Sequence, residues 1–174
     1  MVQVKFYSYN PTKITEPMLC SVFSCDNLHF VKEQNVVGLS FNFSDNNLKF
    51  IAERANSLGL KPVIFTRYKF IKMIENLFNY GGKIKEVKFT NKIDEEEEKE
   101  LYDILFKPQA KFDFLPFLKE ILYDNNYIKS LSWYYINECI PISYSVYDSG
   151  IMYVDDGKEA VKDTDNVLQS VFVN

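Results

Sequence analysis

The sequence predicts one α+β domain over residues 1–174, with a mixed sheet that contains a β-α-β-α-β unit at about residues 36–90. Two helices and a C-terminal antiparallel meander follow this unit. A length of 174 residues suits one domain, and a hydrophobic fraction of 47% suits a globular core. The repeat of the apolar residues also changes along the chain between the strand period of 2 and the helix period of 3.6.

The first element is a strand at residues 2–9. Val2, Val4 and Phe6 alternate with polar residues, and a turn at Asn10-Pro11 ends the pattern. Residues 12–31 receive no assignment, because the apolar run in this stretch fits a strand and a buried turn equally well.

The first half of the central unit covers residues 36–59. Residues 36–43 are rich in strand-forming side chains, Ser44-Asp45 supplies a helix N-cap, and Gly59 ends the helix. The face of this helix that is predicted to be apolar consists of Leu48, Ile51, Ala52, Ala55 and Leu58.

The second half begins with a short apolar strand at residues 61–65. Thr66 caps the next helix, Gly81-Gly82 ends it, and residues 83–89 form another strand. Because the connections are tight, the order of elements favours neighbouring parallel strands joined by right-handed crossovers. The apolar stripe of the helix consists of Phe70, Ile71, Ile74, Leu77 and Phe78.

Two helices and a meander complete the prediction. Asp94 and Glu97 form a capping box for the first helix, and Asp113 begins a second helix that has little polar surface. Alternation then predicts strands at 131–135 and 140–147, and a turn at residues 148–150 leads into a last strand at 151–154.

The cysteines and the N-terminus indicate a cytoplasmic protein. Three cysteines cannot all pair and do not form a dense framework, so we expect free thiols and no disulfide. Residues 1–10 do not resemble a signal peptide, and no stretch has the length of a membrane span, so no membrane partner is expected.

No motif in the sequence predicts catalysis, a metal or a cofactor. Cys20, Cys25, His29 and Cys139 offer zinc ligands, but their spacing lacks the tight turn of a zinc knuckle. The only histidine has no nucleophile motif nearby, and the six glycines do not form a phosphate loop. Whether the chain is an enzyme stays open, and a non-enzymatic role is favoured.

A third class of function, a small-ligand or metal-dependent enzyme, would use the ends of the strands. Glu86-Val-Lys88 superficially resembles half of a metal-dependent nuclease site. In a parallel sheet the carboxyl ends of the strands would bring together Ser44-Asp45, Thr66-Arg67 and Thr90-Asn91. Helix capping explains three of these residues without a ligand.

A basic segment at residues 61–92 predicts the second class, a nucleic-acid-binding regulator. Eight basic side chains against Glu75 and Glu86 give this segment a net charge of +6, although the whole chain carries −4. Lysines interleaved with aromatic residues can follow a phosphate backbone while the rings stack on bases. The candidate contacts are Arg67, Lys69, Lys72, Lys83, Lys85, Lys88 and Lys92.

Surplus aromatic residues predict the leading class, a non-enzymatic protein-binding factor. The chain has 15 Phe, 12 Tyr and one Trp, and Tyr and Trp are frequent in binding hot spots. Residues 92–174 carry 8 basic and 17 acidic side chains, a net charge of −9 that could steer a basic partner. The candidate contacts are Trp133, Tyr134, Tyr135, Tyr144 and Tyr147, of which Trp133 is expected to face the core.

The setting of this function is also an expectation from composition. Only Arg54 and Arg67 among the 20 basic residues are arginine, as in proteins from AT-rich genomes. This composition favours an accessory protein of a phage or mobile element in a low-GC bacterium. Its expected partner is a host or defence protein that it inhibits, and the chain could also form a homo-oligomer.

Overall fold

A computed structural model of the chain describes residues 2–42, 47–107, 110–123, 126–137, 140–155 and 172. The described residues form five α-helices and eight strands, which confirms the α+β class. The strands are β1 (Val2–Ser8), β2 (Leu28–Val31), β3 (Val36–Phe41), β4 (Lys61–Pro62), β5 (Lys83–Phe89), β6 (Ile128–Asn137), β7 (Ile140–Tyr147) and β8 (Ile151–Val154). The helices are α1 (Glu16–Phe23), α2 (Asn47–Ser57), α3 (Arg67–Asn79), α4 (Glu95–Leu105) and α5 (Ala110–Ile121).

The strands form one sheet in the order β2-β3-β1-β8-β7-β6-β5, and β4 pairs with the end of β1. Every pairing among these strands is antiparallel. The elements β3-α2-β4-α3-β5 occur in the predicted sequence order, but the expected parallel pairing is wrong. Strands β1, β8, β7 and β6 separate β3 from β5, so the central unit is not a compact βαβ motif. The predicted helix pair and C-terminal meander are confirmed, but α5 begins at Ala110 rather than Asp113 and β6 begins at Ile128 rather than Leu131.

Local signals in the sequence fix several element ends. The Thr66 hydroxyl accepts the backbone N–H of Lys69 at the start of α3, and the Asp94 carboxylate accepts that of Glu97 at 2.7 Å at the start of α4. Gly59 follows α2 with φ of +78°, as its predicted role requires. The predicted Ser44-Asp45 cap lies outside the described residues.

Helices cover the two faces of the sheet unequally. Helices α3, α4 and α5 pack on one face along most of the sheet, around Phe70, Phe114 and Trp133. Helices α1 and α2 pack on the other face, against β1, β2 and β3, around Leu19 and Ala55. The predicted stripes of α2 and α3 lie in these two cores, except that Ala52 is exposed.

The unassigned stretch 12–31 forms α1, a short 3₁₀ turn at Cys25–Asn27 and the edge strand β2. Ser24 has φ of 65° and reverses the chain at the end of α1. This reversal brings Cys20 and Cys25 together as a disulfide, with their Cα atoms 4.6 Å apart. The expectation of buried free thiols is therefore wrong for this pair, because Cys20 is half-buried and Cys25 is exposed.

This disulfide makes a testable contribution to stability. We expect the Cys20→Ser, Cys25→Ser double variant to fold but to lose about 2 kcal/mol of unfolding free energy relative to the oxidised protein, since the closed loop restricts the unfolded chain. Urea unfolding with and without reductant measures this difference. Identical midpoints, together with two titratable thiols in the oxidised sample, would contradict the pairing.

Candidate functional site

One face of the β5–β8 meander has none of the described helices packed on it. The face that packs against α3, α4 and α5 holds Leu131, Trp133 and Val146 in the core. The opposite face of the sheet is covered by α1 and α2 only over β1, β2 and β3. Over β5–β8, none of the described helices packs on this face. We call this uncovered area the open face.

The strand register defines the open face as three rows of side chains. Side chains in each row are direct neighbours on adjacent strands and lie opposite the core positions. The rows are Lys83-Tyr134-Ser143, Glu86-Ser132-Ser145-Tyr153 and Lys88-Ser130-Tyr147. A bulge between Ile84 and Glu86 adds Lys85 to this edge, and Asp155 follows Tyr153 beyond the end of β8.

The predicted binding residues divide between the two faces. Trp133 and Tyr144 stack with their ring centroids 5.5 Å apart, and both are buried, so neither presents its ring to the surface. Tyr135 is half-buried and packs against the same core. Tyr134 and Tyr147 lie on the open face and are half-buried. The structure therefore places two of the five predicted contacts on the open face.

Sequence reasoning omitted Tyr153 from the predicted contacts. Its ring lies edge-on to Tyr147, with the centroids 5.4 Å apart, and it shares the open face. Alternation in β8 places Met152 and Val154 in the core and predicts that Tyr153 points the other way. That signal was available in the sequence.

A groove of about 220 Å³ crosses the open face. Ser132, Ser143 and Ser145 contribute to its lining, and Tyr147 and Tyr153 lie beside them. The hydroxyls of Ser132 and Ser145 are hydrogen-bonded to each other at 2.8 Å across β6 and β7. The serines leave room between the larger tyrosines, which creates the concave shape.

The fold divides the predicted nucleic-acid contacts into separate groups. Lys69 and Lys72 border a cleft that also involves Pro62 and Ile64, close to β4 and β1. Lys83, Lys85 and Lys88 lie on β5, four strands from β1, a separation of about 19 Å at the usual spacing of strands. The basic segment is continuous in sequence but does not form one continuous surface.

Most of these cations already have intramolecular partners. Arg67 donates to the Leu122 carbonyl and Lys69 to the Ile64 carbonyl. Lys72, Lys88 and Lys92 form ion pairs with Glu75, Glu86 and Glu95. The hydrogen bond from Lys72 to Glu75, helped by the charge of this carboxylate, raises the pKa of the lysine. Lys83 and Lys85 have no ion pair with any residue that the structure describes.

The geometry contradicts the ligand site expected at the strand ends. Because all pairings are antiparallel, β5 runs opposite to β3 and β4, and their carboxyl ends do not share one edge. Thr66 serves as a helix cap, and the Thr90 hydroxyl donates to the Tyr127 carbonyl. Asn91 is hydrogen-bonded to Asn126. These groups are used within the fold.

The described part of the chain contains no cluster of three or more potential metal ligands. Cys20 and Cys25 are paired, and the His29 Nε2 atom is hydrogen-bonded to the Ser40 hydroxyl at 2.7 Å. Cys139 lies outside the described residues. Glu86, the acidic half of the predicted nuclease-like pair, instead forms the ion pair with Lys88 at 3.2 Å.

The open face therefore stands out among the features that sequence analysis proposed. None of the helices that the structure describes is long and apolar enough to cross a membrane. Comparison with protein-family models, curated proteins and solved structures finds no match to this chain.

Proposed function

We propose that the chain is a non-enzymatic protein-binding factor and that its binding surface is the open face of the β5–β8 meander. The supporting observation is that Tyr134, Tyr147 and Tyr153 share a face that none of the described helices covers. Half-exposed tyrosines combine apolar area with a hydroxyl that can find a partner, and this combination is common in protein interfaces.

Two features favour a protein over a nucleic acid as the partner. Tyr147 and Tyr153 contact each other edge-on and both are half-buried, so the ring area left exposed suits a group smaller than a nucleobase. The lysines on β5 are accompanied by Glu86, which already pairs with Lys88, so the positive charge at this edge is reduced. The structure thus offers a short lysine-bearing edge beside the tyrosines rather than a long basic track.

Composition extends the proposal to a cellular setting. The scarcity of arginine supports an origin in a phage or mobile element of a low-GC bacterium, with a host or defence protein as the inhibited partner. The location that follows from this setting is the cytoplasm, and it rests on composition alone because the Cys20–Cys25 disulfide removes the argument from free thiols. These parts of the proposal depend on composition, whereas the position of the surface depends on the fold.

Substitutions on the open face provide the test. We expect Tyr134→Ala and Tyr147→Ala to leave the chain folded and to weaken partner binding, at least one of them by about 2 kcal/mol, because interface tyrosines often act as hot spots. Partners captured by the native chain from bacterial lysate are identified by mass spectrometry. Their affinities for each purified variant are then measured by calorimetry.

The matched control is the Tyr80→Ala, Tyr123→Ala double variant. These tyrosines are more exposed, at 67% and 82%, but lie at the ends of α3 and α5 rather than on the open face. The control should retain the partner. Loss of binding in the control, or full affinity in both open-face variants, would place the interface elsewhere. Binding of an oligonucleotide that depends on Lys83, Lys85 and Lys88 would support the nucleic-acid alternative instead.

A further inference from the structure

The groove on the open face has different chemistry at its two ends. It spans four strands, so its ends are separated by about 14 Å at the usual strand spacing. Lys85 and Glu86 lie at the β5 end, whereas Tyr153 and Asp155 lie at the β8 end. Glu86 is engaged by Lys88. Among the described residues Asp155 forms no ion pair, and it is exposed at the β8 end of the groove.

The β8 end also provides aromatic and hydroxyl groups. Tyr153 lies two residues before Asp155 and contacts Tyr147 edge-on. Ser143 and Ser145 supply hydroxyls from β7, and the Asp155 N–H donates to the Ser143 carbonyl. An arginine side chain can stack on a tyrosine ring, donate to a carboxylate with its planar fork and donate to hydroxyls at the same time. The groups at this end of the groove therefore match a guanidinium, and Lys85 at the other end disfavours a cation there.

Addition of a partner strand along β5 is the other way to engage this half of the sheet, and the edge opposes it. The Tyr102 side chain of α4 lies close to the Val87 backbone on β5, where a new strand would have to pair. The bulge at Lys85 also interrupts the regular spacing of the edge. These features direct a partner to the groove rather than to the edge.

We propose that the β8 end of the groove receives an arginine side chain of the protein partner, held by Asp155 and Tyr153. This inference rests on the proposed function and adds the chemistry of the partner. The placement of Lys85 and Asp155 at opposite ends of the groove supports it, because this charge difference would orient a basic segment toward the β8 end.

A peptide titration tests this proposal on the full chain. The probe is acetyl-Gly-Arg-Arg-Gly amide, and the control is the same peptide with citrulline, a neutral group of similar shape, in place of arginine. Amide shifts of Ser145 and Tyr153 report binding by NMR. We expect saturable shifts with the arginine peptide. The citrulline peptide should bind at least about fivefold more weakly, because it loses the charge-assisted hydrogen bonds.

Two variants test whether Asp155 holds the arginine. Asp155→Asn should weaken binding of the arginine peptide about fivefold, because the substitution removes the charge and retains the size of the side chain. The control Asp103→Asn removes an exposed acid from α4, which packs on the other face, and should change nothing. Equal binding of both peptides, an unchanged affinity in Asp155→Asn, or shifts produced only by a ten-nucleotide oligothymidylate would overturn the proposal.

The two proposals fail in different ways. If Tyr134→Ala and Tyr147→Ala lose the captured partner while Asp155→Asn keeps both the partner and the arginine peptide, the open face still binds protein and the arginine site is wrong. If the tyrosine variants keep the partner, the proposed interface itself is wrong.

Discussion

Replacing Trp133 with Ala is expected to lower the free energy of unfolding by about 3 to 5 kcal/mol, the range for removing a large aromatic side chain from a core. Trp133 is 0% exposed and stacks on Tyr144 within the core covered by α3, α4 and α5. Tyr134 is the next residue, lies on the open face and is half-buried, so Tyr134→Ala should cost about 1 kcal/mol. Chemical denaturation followed by far-UV circular dichroism compares the two.

This pair is a direct test of the β6 register. A shift of one residue would exchange the two faces and would make Tyr134→Ala the more damaging change. Trp133→Phe provides a milder probe, because it keeps an aromatic ring and removes an indole N–H that has no hydrogen-bond acceptor among the described residues. We expect Trp133→Phe to destabilise less than Trp133→Ala. Similar losses for Trp133→Ala and Tyr134→Ala would contradict the assignment of the two faces.

Replacing Gly150 with Ala is expected to destabilise the fold by about 3 kcal/mol or more, through left-handed backbone strain and steric overlap. Gly150 has φ of +76° in the turn between β7 and β8, and an added Cβ would lie 2.0 Å from the Val63 carbonyl oxygen. The contact cannot relax easily, because the Val63 N–H donates to Phe6 and the Phe65 N–H donates to Asp148. This crossing of two chain segments therefore requires glycine.

Gly59 and Gly81 serve as controls that separate backbone strain from steric overlap. They have φ of +78° and +77°, but an added Cβ at either position meets no atom within 4 Å. Gly59→Ala and Gly81→Ala should each cost only about 1 to 2 kcal/mol, the backbone contribution alone. Thermal and urea denaturation of the three variants provide the measurement. If Gly150→Ala loses no more stability than these controls, the Val63 carbonyl does not lie as close to Gly150 as the structure places it.

The sequence predicted features that depend on neighbours within one element. The caps at Thr66 and Asp94, the end of α2 at Gly59 and the turn at residues 148–150 are all confirmed. Each involves contacts between residues a few positions apart, so the local sequence contains the necessary information. Alternation in β6 also predicted that Trp133 and Tyr134 lie on opposite faces.

Sequence could not predict which strands pair. The order of elements in residues 36–90 suggested parallel neighbours, but β1 and β8 occupy the centre of the sheet, and β3 and β5 lie on opposite sides of them. These pairings join segments about 150 residues apart, such as Val2 with Val154. Each strand has apolar residues that would suit several partners. The local sequence therefore does not determine which strands pair.

The candidate site shows the same division between local and long-range information. The sequence by itself determined which side chains of β6 and β7 alternate and where the aromatic and charged residues concentrate. Only the tertiary structure decided that α3, α4 and α5 cover one face of the meander, that the opposite face has no described helix over it, and that Lys85 and Asp155 lie at the two ends of one groove. The physical reason is that periodicity assigns a side chain to a face of its own element, whereas exposure depends on which distant element packs against that face.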